Sequence, residues 1–363
     1  MKNLIFGITS LTLGGAERVL IDIVNELSNK YNITIFVLYS GGELEKQLNS
    51  NVKLIKFINK SYNELSRKEK LKISFKLLIS RRKIYNTYIK NKYNTEIAFL
   101  EGPITRLFSV KNSNVKKIAW VHNDISKVFG KNIKAIIKKK LDKIHYMKYN
   151  NIIFVSNDNM EKFKKLYKCN NNMEVIHNYI SCDRVKKQAE NIIIKDIFNK
   201  EDINFLTVVR LTKQKAIDRL IRAHVKLIEQ GFYHKIYIIG DGPERNKLQE
   251  MINKYNIQTS FILLGKMENP YPYIKKCDIF ALLSEYEGYG MVLEEAKILG
   301  KPIIITDTAA REAVVDYQNA IIVSNNEDGI IQGIKQCIEL DKSNVQEYNN
   351  NFNILEKIEK LVN

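Results

Sequence analysis

Residues 278–296 read DIFALLSEYEGYGMVLEEA, a buried strand, a glycine loop and the start of a helix in one run. Asp278 to Leu283 is a short apolar run of strand length ending in turn residues. Gly288 and Gly290 then let the backbone approach a ligand closely, and the free amides that open the following helix suit a diphosphate. Tyr289 and Met291 belong to the same cradle. Glu287 stands just before those amides, and Glu295 lies about one turn into the helix. Two carboxylates are a poor choice for phosphate itself. They suit vicinal hydroxyls on either side of it, because carboxylates accept short, strong hydrogen bonds. A nucleotide sugar has that layout: ribose, diphosphate, hexose. A glycine turn before a surface-charged helix is the competing explanation of the same spacing.

Strand–helix alternation continues outward from this stretch in both directions. Upstream and downstream lie runs at 204–209, 235–240, 260–264, 301–305 and 319–323, which with 278–283 form one series of buried strands. An earlier series occupies 4–10, 33–39, 52–58, 95–100, 116–121 and 150–155, with helical spacing between several of them, as in Ala16, Leu20, Ile23, Val24 and Leu27. Such alternation implies parallel sheets with crossover helices, and two series imply two doubly wound, Rossmann-like α/β domains. Apolar periodicity fades near 178–203, so the expected domains are 1–182 and 183–345. Residues 346–363 form a terminal helix expected to pack back across them. Two such domains offer a cleft between strand C-terminal ends, where open α/β sheets bind ligands.

The residues at those ends carry the remaining chemistry. Arg210 leaves the strand at 204–209 and Lys215 stands near the next helix start, so both can aim at one diphosphate and neutralise charge as the nucleotide departs. Two solvated cations in a basic protein are the competing explanation. Gly240-Asp241-Gly242-Pro243 reads as a structural turn with Pro243 at a first helical position. Lys266 and Met267 follow the next strand, where backbone groups can meet a base edge. In the N-terminal half, Gly14 and Gly15 join the first strand to its helix; GxGxxG is absent, so NAD is not implied. His122, one of five histidines, follows the strand at 116–121, and Glu101 ends the strand before it. A lone histidine is as often structural as ligand-binding.

Taken together, these motifs resemble a family-4 retaining glycosyltransferase of the GT-B fold, the metal-independent group that builds bacterial surface polysaccharides. The resemblance runs from the Gly14-Gly15 turn to about residue 340, and its most specific element is the E-x7-E pattern from Glu287 to Glu295. It implies that Glu287 holds donor-sugar hydroxyls, Glu295 the ribose, Arg210 and Lys215 the diphosphate, that His122 sits at the reacting sugar, and that Lys266 and Met267 border the base. Val209 and Ala216 stand where the family commonly has glycine, and the loop Thr306–Glu312 departs from its glycine-containing counterpart, which leaves the donor sugar open. The implied activity is transfer of a hexose, UDP-hexose being the expected donor, to a lipid-linked or glycan acceptor, with no metal or other cofactor. An inverting GT-B transferase or a nucleotide-sugar epimerase is the alternative on the same fold.

Composition bounds the rest. The chain has 363 residues, 45% of them hydrophobic and 27% charged, too many for one ordinary core and normal for a folded protein. No stretch approaches 18 uncharged apolar residues, so a transmembrane helix is not expected. MKNLIFGITSLTLGG lacks a small-residue cleavage site and reads as a first strand and not as a signal peptide. Four cysteines without CxxC spacing argue against disulfides and zinc and for a reducing cytoplasm.

The net charge of +18 requires anionic company. No RRM, KH or zinc motif and no aromatic stacking platform is present, so nucleic acid is not an expected partner. Residues 66–92 carry ten Lys/Arg against Glu69, and 127–148 carry eight lysines against Asp142. In the second run Ile133, Ile136, Ile137, Leu141 and Ile144 share one helical face, with Lys134, Lys138 and Lys139 around it. That stripe is expected to pack on its sheet with the basic side solvated. Lipid-linked acceptors sit on the anionic inner leaflet, so peripheral attachment to the inner face of the cell membrane through these runs is the expected location.

Overall fold

The computed structural model describes residues 1–90, 92–125, 133–169, 171–191, 197–199, 201–339 and 352–363. They divide into two compact units, Met1–Tyr179 with Phe352–Asn363, and Ile180–Asn351. The first holds a seven-stranded parallel sheet: β1 (Asn3–Ile8), β2 (Asn32–Tyr39), β3 (Lys53–Ile58), β4 (Thr95–Ala98), β5 (Lys116–Val121), β6 (Asn151–Phe154) and β7 (Asn172–Val175). Its order is β3-β2-β1-β4-β5-β6-β7. The connecting helices are α1 (Gly15–Leu27), α2 (Arg67–Ile79), α3 (Arg81–Tyr88), α4 (Pro103–Phe108), α5 (Ile133–Tyr146) and α6 (Asn157–Tyr167).

Strand order steps one way from β1 to β3 and the other way from β4 to β7. Right-handed crossovers therefore put α1 on one face of the sheet and α2 to α6 on the other. The stripe expected in α1 is buried at Leu20, Ile23, Val24 and Leu27. On the opposite face Ile5, Phe36, Phe108, Tyr146, Phe154 and Phe163 form one apolar core. β7 is not among the strand runs read in the sequence: Asn172 opens an edge strand that pairs with β6, Val175 lying opposite Phe154.

α5 corrects a second expectation. Its inward side is Asp142, Tyr146 and the half-buried His145, not the isoleucine stripe. The Tyr167 hydroxyl donates to Asp142 Oδ2 (2.9 Å), Tyr146 packs edge-on against Phe163, and Ser109 Oγ lies 2.8 Å from His145 Nδ1. These partners on α4 and α6 fix the rotation of the helix. Ile136, Ile137, Leu141 and Ile144 are consequently 50–54% exposed. Residues 127–132 of this basic run, and the side chains of Ile133 and Lys134, lie outside what the structure describes.

The second unit holds a six-stranded parallel sheet, β8 (Asn204–Val208), β9 (Lys235–Ile239), β10 (Phe261–Gly265), β11 (Ile279–Leu282), β12 (Ile303–Thr306) and β13 (Ala320–Val323), ordered β10-β9-β8-β11-β12-β13. Its helices are α7 (Cys182–Ala189), α8 (Ile217–Glu229), α9 (Arg245–Lys254), α10 (Tyr271–Lys276), α11 (Met291–Ile298) and α12 (Glu327–Glu339). Pro243 precedes α9 by two residues and so is not its first helical residue. The terminal helix α13 (Phe352–Val362) belongs to the first unit, where Glu359 pairs with Lys30 at 2.6 Å and Thr95 Oγ1 donates to Val362 O at 3.2 Å.

The core of the second unit contains a histidine pair. His224 Nδ1 lies 2.9 Å from His234 Nε2, His224 Nε2 lies 2.8 Å from Ser260 Oγ, and His234 Nδ1 lies 2.9 Å from Phe232 O. Burial pushes His224 down to about 3 and His234 to about 4. Both rings are neutral in the folded state, whereas unfolded histidine binds a proton below about 6.5. Stability from this pair is therefore fully present above pH 6.5 and is lost as pH falls toward 4, at up to about 1.4 kcal/mol per pH unit per ring. In calorimetry between pH 7.5 and 4.5, His224→Gln should flatten the acid-side fall in melting temperature of this unit. A variant profile parallel to the wild type would contradict the assignment.

Candidate active site

In the second sheet the strand order reverses between β8 and β11, the kind of switch point at which open α/β sheets bind ligands. The loops leaving these two strands are laced together. Glu285 N donates to Gln214 O (2.9 Å), Gln214 Nε2 donates to Tyr286 O (2.9 Å), and Asn325 Nδ2 donates to Glu285 O (2.7 Å). Arg219, at the start of α8, donates to Leu283 O and Asn325 O at 3.0 and 3.2 Å. Gln214, Arg219 and Asn325 thus hold the loops in place, a role no sequence spacing announced because the partners are 40 to 106 residues apart.

The lacing brings two of the sequence-predicted residues into contact. Lys215 Nζ lies 2.5 Å from Glu287 Oε1, and the two side chains are 18% and 7% exposed. In an ion pair this buried, each partner leaves the other as an unmatched buried charge if removed. Ala216, next to Lys215, takes a left-handed conformation (φ 48°), the backbone shape that favours glycine at this family-typical glycine position.

Glu287 leads into Gly288, Tyr289 and Gly290, after which Met291 opens α11 with its free amides. Gly290 has φ 73°, and a Cβ there would stand 3.0 Å from Leu293 Cδ1 and 3.1 Å from Leu282 Cδ2. The Tyr289 side chain is buried and its hydroxyl donates to Glu294 (2.8 Å), so only its backbone remains to meet a ligand. Lys297 also pairs with Glu294 (3.0 Å).

Glu295, one residue on, is 8% exposed and accepts from the Tyr271 hydroxyl at 2.8 Å. Arg184 in turn donates to the Tyr271 oxygen at 2.9 Å. Burial, and then the neighbouring Glu295 carboxylate, push the Tyr271 hydroxyl well above its ordinary pKa, so it remains a donor. Arg184 and Tyr271, on α7 and α10, were missed in the sequence because they are 87 residues apart.

Arg210 is exposed, and its side chain has no hydrogen bond or ion pair among the described residues. Lys266 is exposed and Met267 half-buried after β10. All of these residues follow C-terminal strand ends of one parallel sheet. The GDGP turn has a packing role: a Cβ at Gly240 (φ 141°) would fall 1.8 Å from Val209 O, and one at Gly242 2.3 Å from Leu211 O.

In the first unit, Gly14 caps α1 and Gly15 is its first residue. Glu101 closes the ends of β4 and β5, accepting from His122 N (2.5 Å), Asn123 N (2.7 Å) and Asn123 Nδ2 (3.3 Å). The His122 ring packs on Phe99 with centroids 4.7 Å apart, and burial pushes its pKa down to about 3. Its Nε2 is buried without a partner among the described residues. A cavity of about 290 Å³ opens beside Glu101, walled also by Arg106, Asn123 and Asp142.

Two parallel, doubly wound sheets in one chain, the second with carboxylates, cations and helix amides after its strand ends, are the architecture of a two-domain GT-B glycosyltransferase, and the comparisons with known proteins agree. Residues 188–353 match the family model described as Glycosyl transferases group 1. N-acetylgalactosamine-N,N'-diacetylbacillosaminyl-diphospho-undecaprenol 4-alpha-N-acetylgalactosaminyltransferase of Campylobacter jejuni is 29% identical over 361 residues, covering 94% of this chain and 92% of that protein. An uncharacterized glycosyltransferase of Methanocaldococcus jannaschii is 30% identical over 301 residues, covering 80% of this chain and 72% of that protein. Anabaena HepE, solved with UDP and glucose, matches with a TM-score of 0.74 at 16% identity over 99% of both chains. The chain belongs to the group 1 glycosyltransferases.

The left-handed turn at Gly290 sets where the α11 amides point. Gly290→Ala should cost about 1–2 kcal/mol, the penalty for an L-residue in that conformation, and should weaken UDP binding measured by calorimetry. Unchanged urea midpoint and UDP affinity would show that the turn does not shape the site.

Proposed function

We propose that this enzyme transfers a hexose from a UDP-sugar, with retention of configuration and without a metal, to a lipid-linked or glycan acceptor of surface polysaccharide synthesis. The observation that carries the reading is the Lys215–Glu287 pair, held beside the α11 amides at the switch point. A diphosphate is a stronger partner for Lys215 than one carboxylate, so donor binding draws the ammonium to phosphate and leaves Glu287 to accept from sugar hydroxyls. Arg210 adds a second cation, and Glu295 accepts from the ribose. Positive charge from Arg210, Lys215 and helix amides supports leaving-group stabilisation without a divalent ion. Lys266 and Met267 border the base.

The bond from the anomeric carbon to the diphosphate oxygen breaks as the acceptor oxygen bonds the same face of that carbon. The acceptor proton passes to the departing phosphate oxygen. His122, held neutral with a pKa near 3, is a weak base, which favours this course over an inverting one. Its unpaired Nε2 suits a hydrogen bond to a sugar hydroxyl. The carboxylates and guanidinium around the Glu101 cavity suit an acceptor. The Campylobacter relative is named for a diphospho-undecaprenol acceptor and HepE was solved with UDP and glucose, which supports both substrate classes. Among the described residues no helix is long and apolar enough to cross a membrane. The basic runs at 66–92 and 127–148 support peripheral attachment to the inner face of the cell membrane.

Glu295→Ala should weaken UDP binding by about 1–3 kcal/mol. Glu287→Ala should lower turnover more than UDP affinity, since UDP carries no hexose. Arg210→Ala should reduce kcat/KM roughly 100-fold or more, and activity should survive EDTA. Equal UDP affinity in Glu295→Ala, or loss with EDTA and rescue by Mn²⁺, would overturn the ribose assignment or the metal-free course respectively. The coupling constant of the anomeric proton in the product decides retention.

A further inference from the structure

Glu287 and Glu295, the two carboxylates proposed to hold the donor, have different kinds of partner. Glu287 meets the Lys215 ammonium, whereas Glu295 Oε1 accepts from the Tyr271 hydroxyl at 2.8 Å, with both side chains buried. Arg184 stands one residue further back. Its guanidinium donates to the Tyr271 oxygen at 2.9 Å and lies over the ring, with Cζ 5.6 Å from the centroid.

The choice of a neutral donor has a chemical consequence. A guanidinium set directly against Glu295 would take both carboxylate oxygens in a fork and compete with a ligand for them. A hydroxyl takes one acceptor direction of the several that a carboxylate offers. Burial first, then the Glu295 charge, push the Tyr271 hydroxyl well above its ordinary pKa, so the proton stays on tyrosine and is given to the carboxylate. Arg184, donating to the same oxygen, polarises that hydroxyl and strengthens its bond to Glu295.

The two supporting residues are themselves fixed. Asn269 Nδ2 donates to Gln188 O at 2.8 Å, Tyr271 N donates to Asn269 Oδ1 at 3.2 Å, and Lys275 pairs with Glu190 at 2.5 Å. These contacts tie α10 to α7, while Glu295 comes from α11. The carboxylate is therefore oriented by a hydroxyl anchored on two other helices, and it cannot rotate without breaking a buried hydrogen bond.

Resting on the donor reading above, in which Glu295 accepts from the ribose, we infer that Tyr271, backed by Arg184, is a positioning residue for that carboxylate. The pair sets the preference for a ribose-containing donor over one whose sugar lacks the hydroxyls. A carboxylate held in one orientation meets hydroxyls at a fixed place, and a ligand without them costs that buried group its partner. A carboxylate able to rotate discriminates less.

The test is calorimetric titration of the full chain with UDP and with 2′,3′-dideoxy-UDP, for wild type, Tyr271→Phe, Arg184→Met, their double variant and Glu295→Ala. Tyr271→Phe should bind UDP about three- to tenfold more weakly while its affinity for the dideoxy nucleotide is unchanged. General loosening of the helices would weaken both nucleotides alike. Arg184→Met should shift the ratio in the same direction by less, and should add nothing to Tyr271→Phe, because its effect passes through the hydroxyl. Equal loss of both nucleotides in Tyr271→Phe, or an unchanged ratio, would overturn the inference, and the ribose contact would still stand if Glu295→Ala abolished the preference. A preference that survives Glu295→Ala, or a wild type that binds no UDP, would overturn the donor reading and the inference with it.

Discussion

The reversal of strand order between β8 and β11 is the constraint on which the candidate donor site depends. Helices leave these neighbouring strands toward opposite faces, so no helix covers their ends and only loops remain to fill the gap. Two charges are left there, Lys215 from one loop and Glu287 from the other, 2.5 Å apart. Neither would be tolerated alone at that burial. Their pairing joins the two loops, and the hydrogen bonds from the Gln214, Arg219 and Asn325 side chains to backbone oxygens keep both loops in register. In the proposed function, a ligand that carries phosphate for one partner and hydroxyls for the other replaces the pair without leaving a buried charge unmet.

Glu294 and Glu295 show how position on one helix divides two adjacent carboxylates between tasks. Glu294 faces Tyr289 and Lys297 and belongs to the packing of α11. Glu295 faces Tyr271, itself held by Arg184, at the end of a chain of donors from α7 and α10. Its orientation is set before any ligand arrives, the preorganisation that a binding carboxylate needs. The first unit follows a different logic. There polar side chains of α5 turn inward to Tyr167 and Ser109, and its aliphatic stripe is turned out, so the same contacts that fix the helix create an apolar surface.

Much of this was legible in the sequence for a physical reason. Both sheets are parallel and buried on two faces, so their strands are continuous apolar runs, and the residues following each run are strand-end residues by construction. Glu287 and Glu295 could be proposed from the sequence because their spacing lies within one loop and helix. β7 was not, because Asn172 to Val175 is a half-exposed edge strand with little apolar signal. The face of α5 was read the wrong way round: periodicity identifies a stripe but not which stripe is inside, and Asp142, His145 and Tyr146 won through partners distant in sequence. Arg184, Tyr271, Gln214 and Asn325 left no local pattern at all. The terminal helix joins the first unit through Lys30 and Thr95, a pairing over more than 260 residues that no window could contain.

Of the two Rossmann-like units in the chain, the second is the one proposed to take the nucleotide. A crystal structure with UDP tests it most directly. The diphosphate should lie on Lys215 and the α11 amides, with Glu287 released from its 2.5 Å contact and the ribose hydroxyls on Glu295. UDP bound instead at the Gly14-Gly15 turn, with the Lys215–Glu287 pair intact, would contradict it.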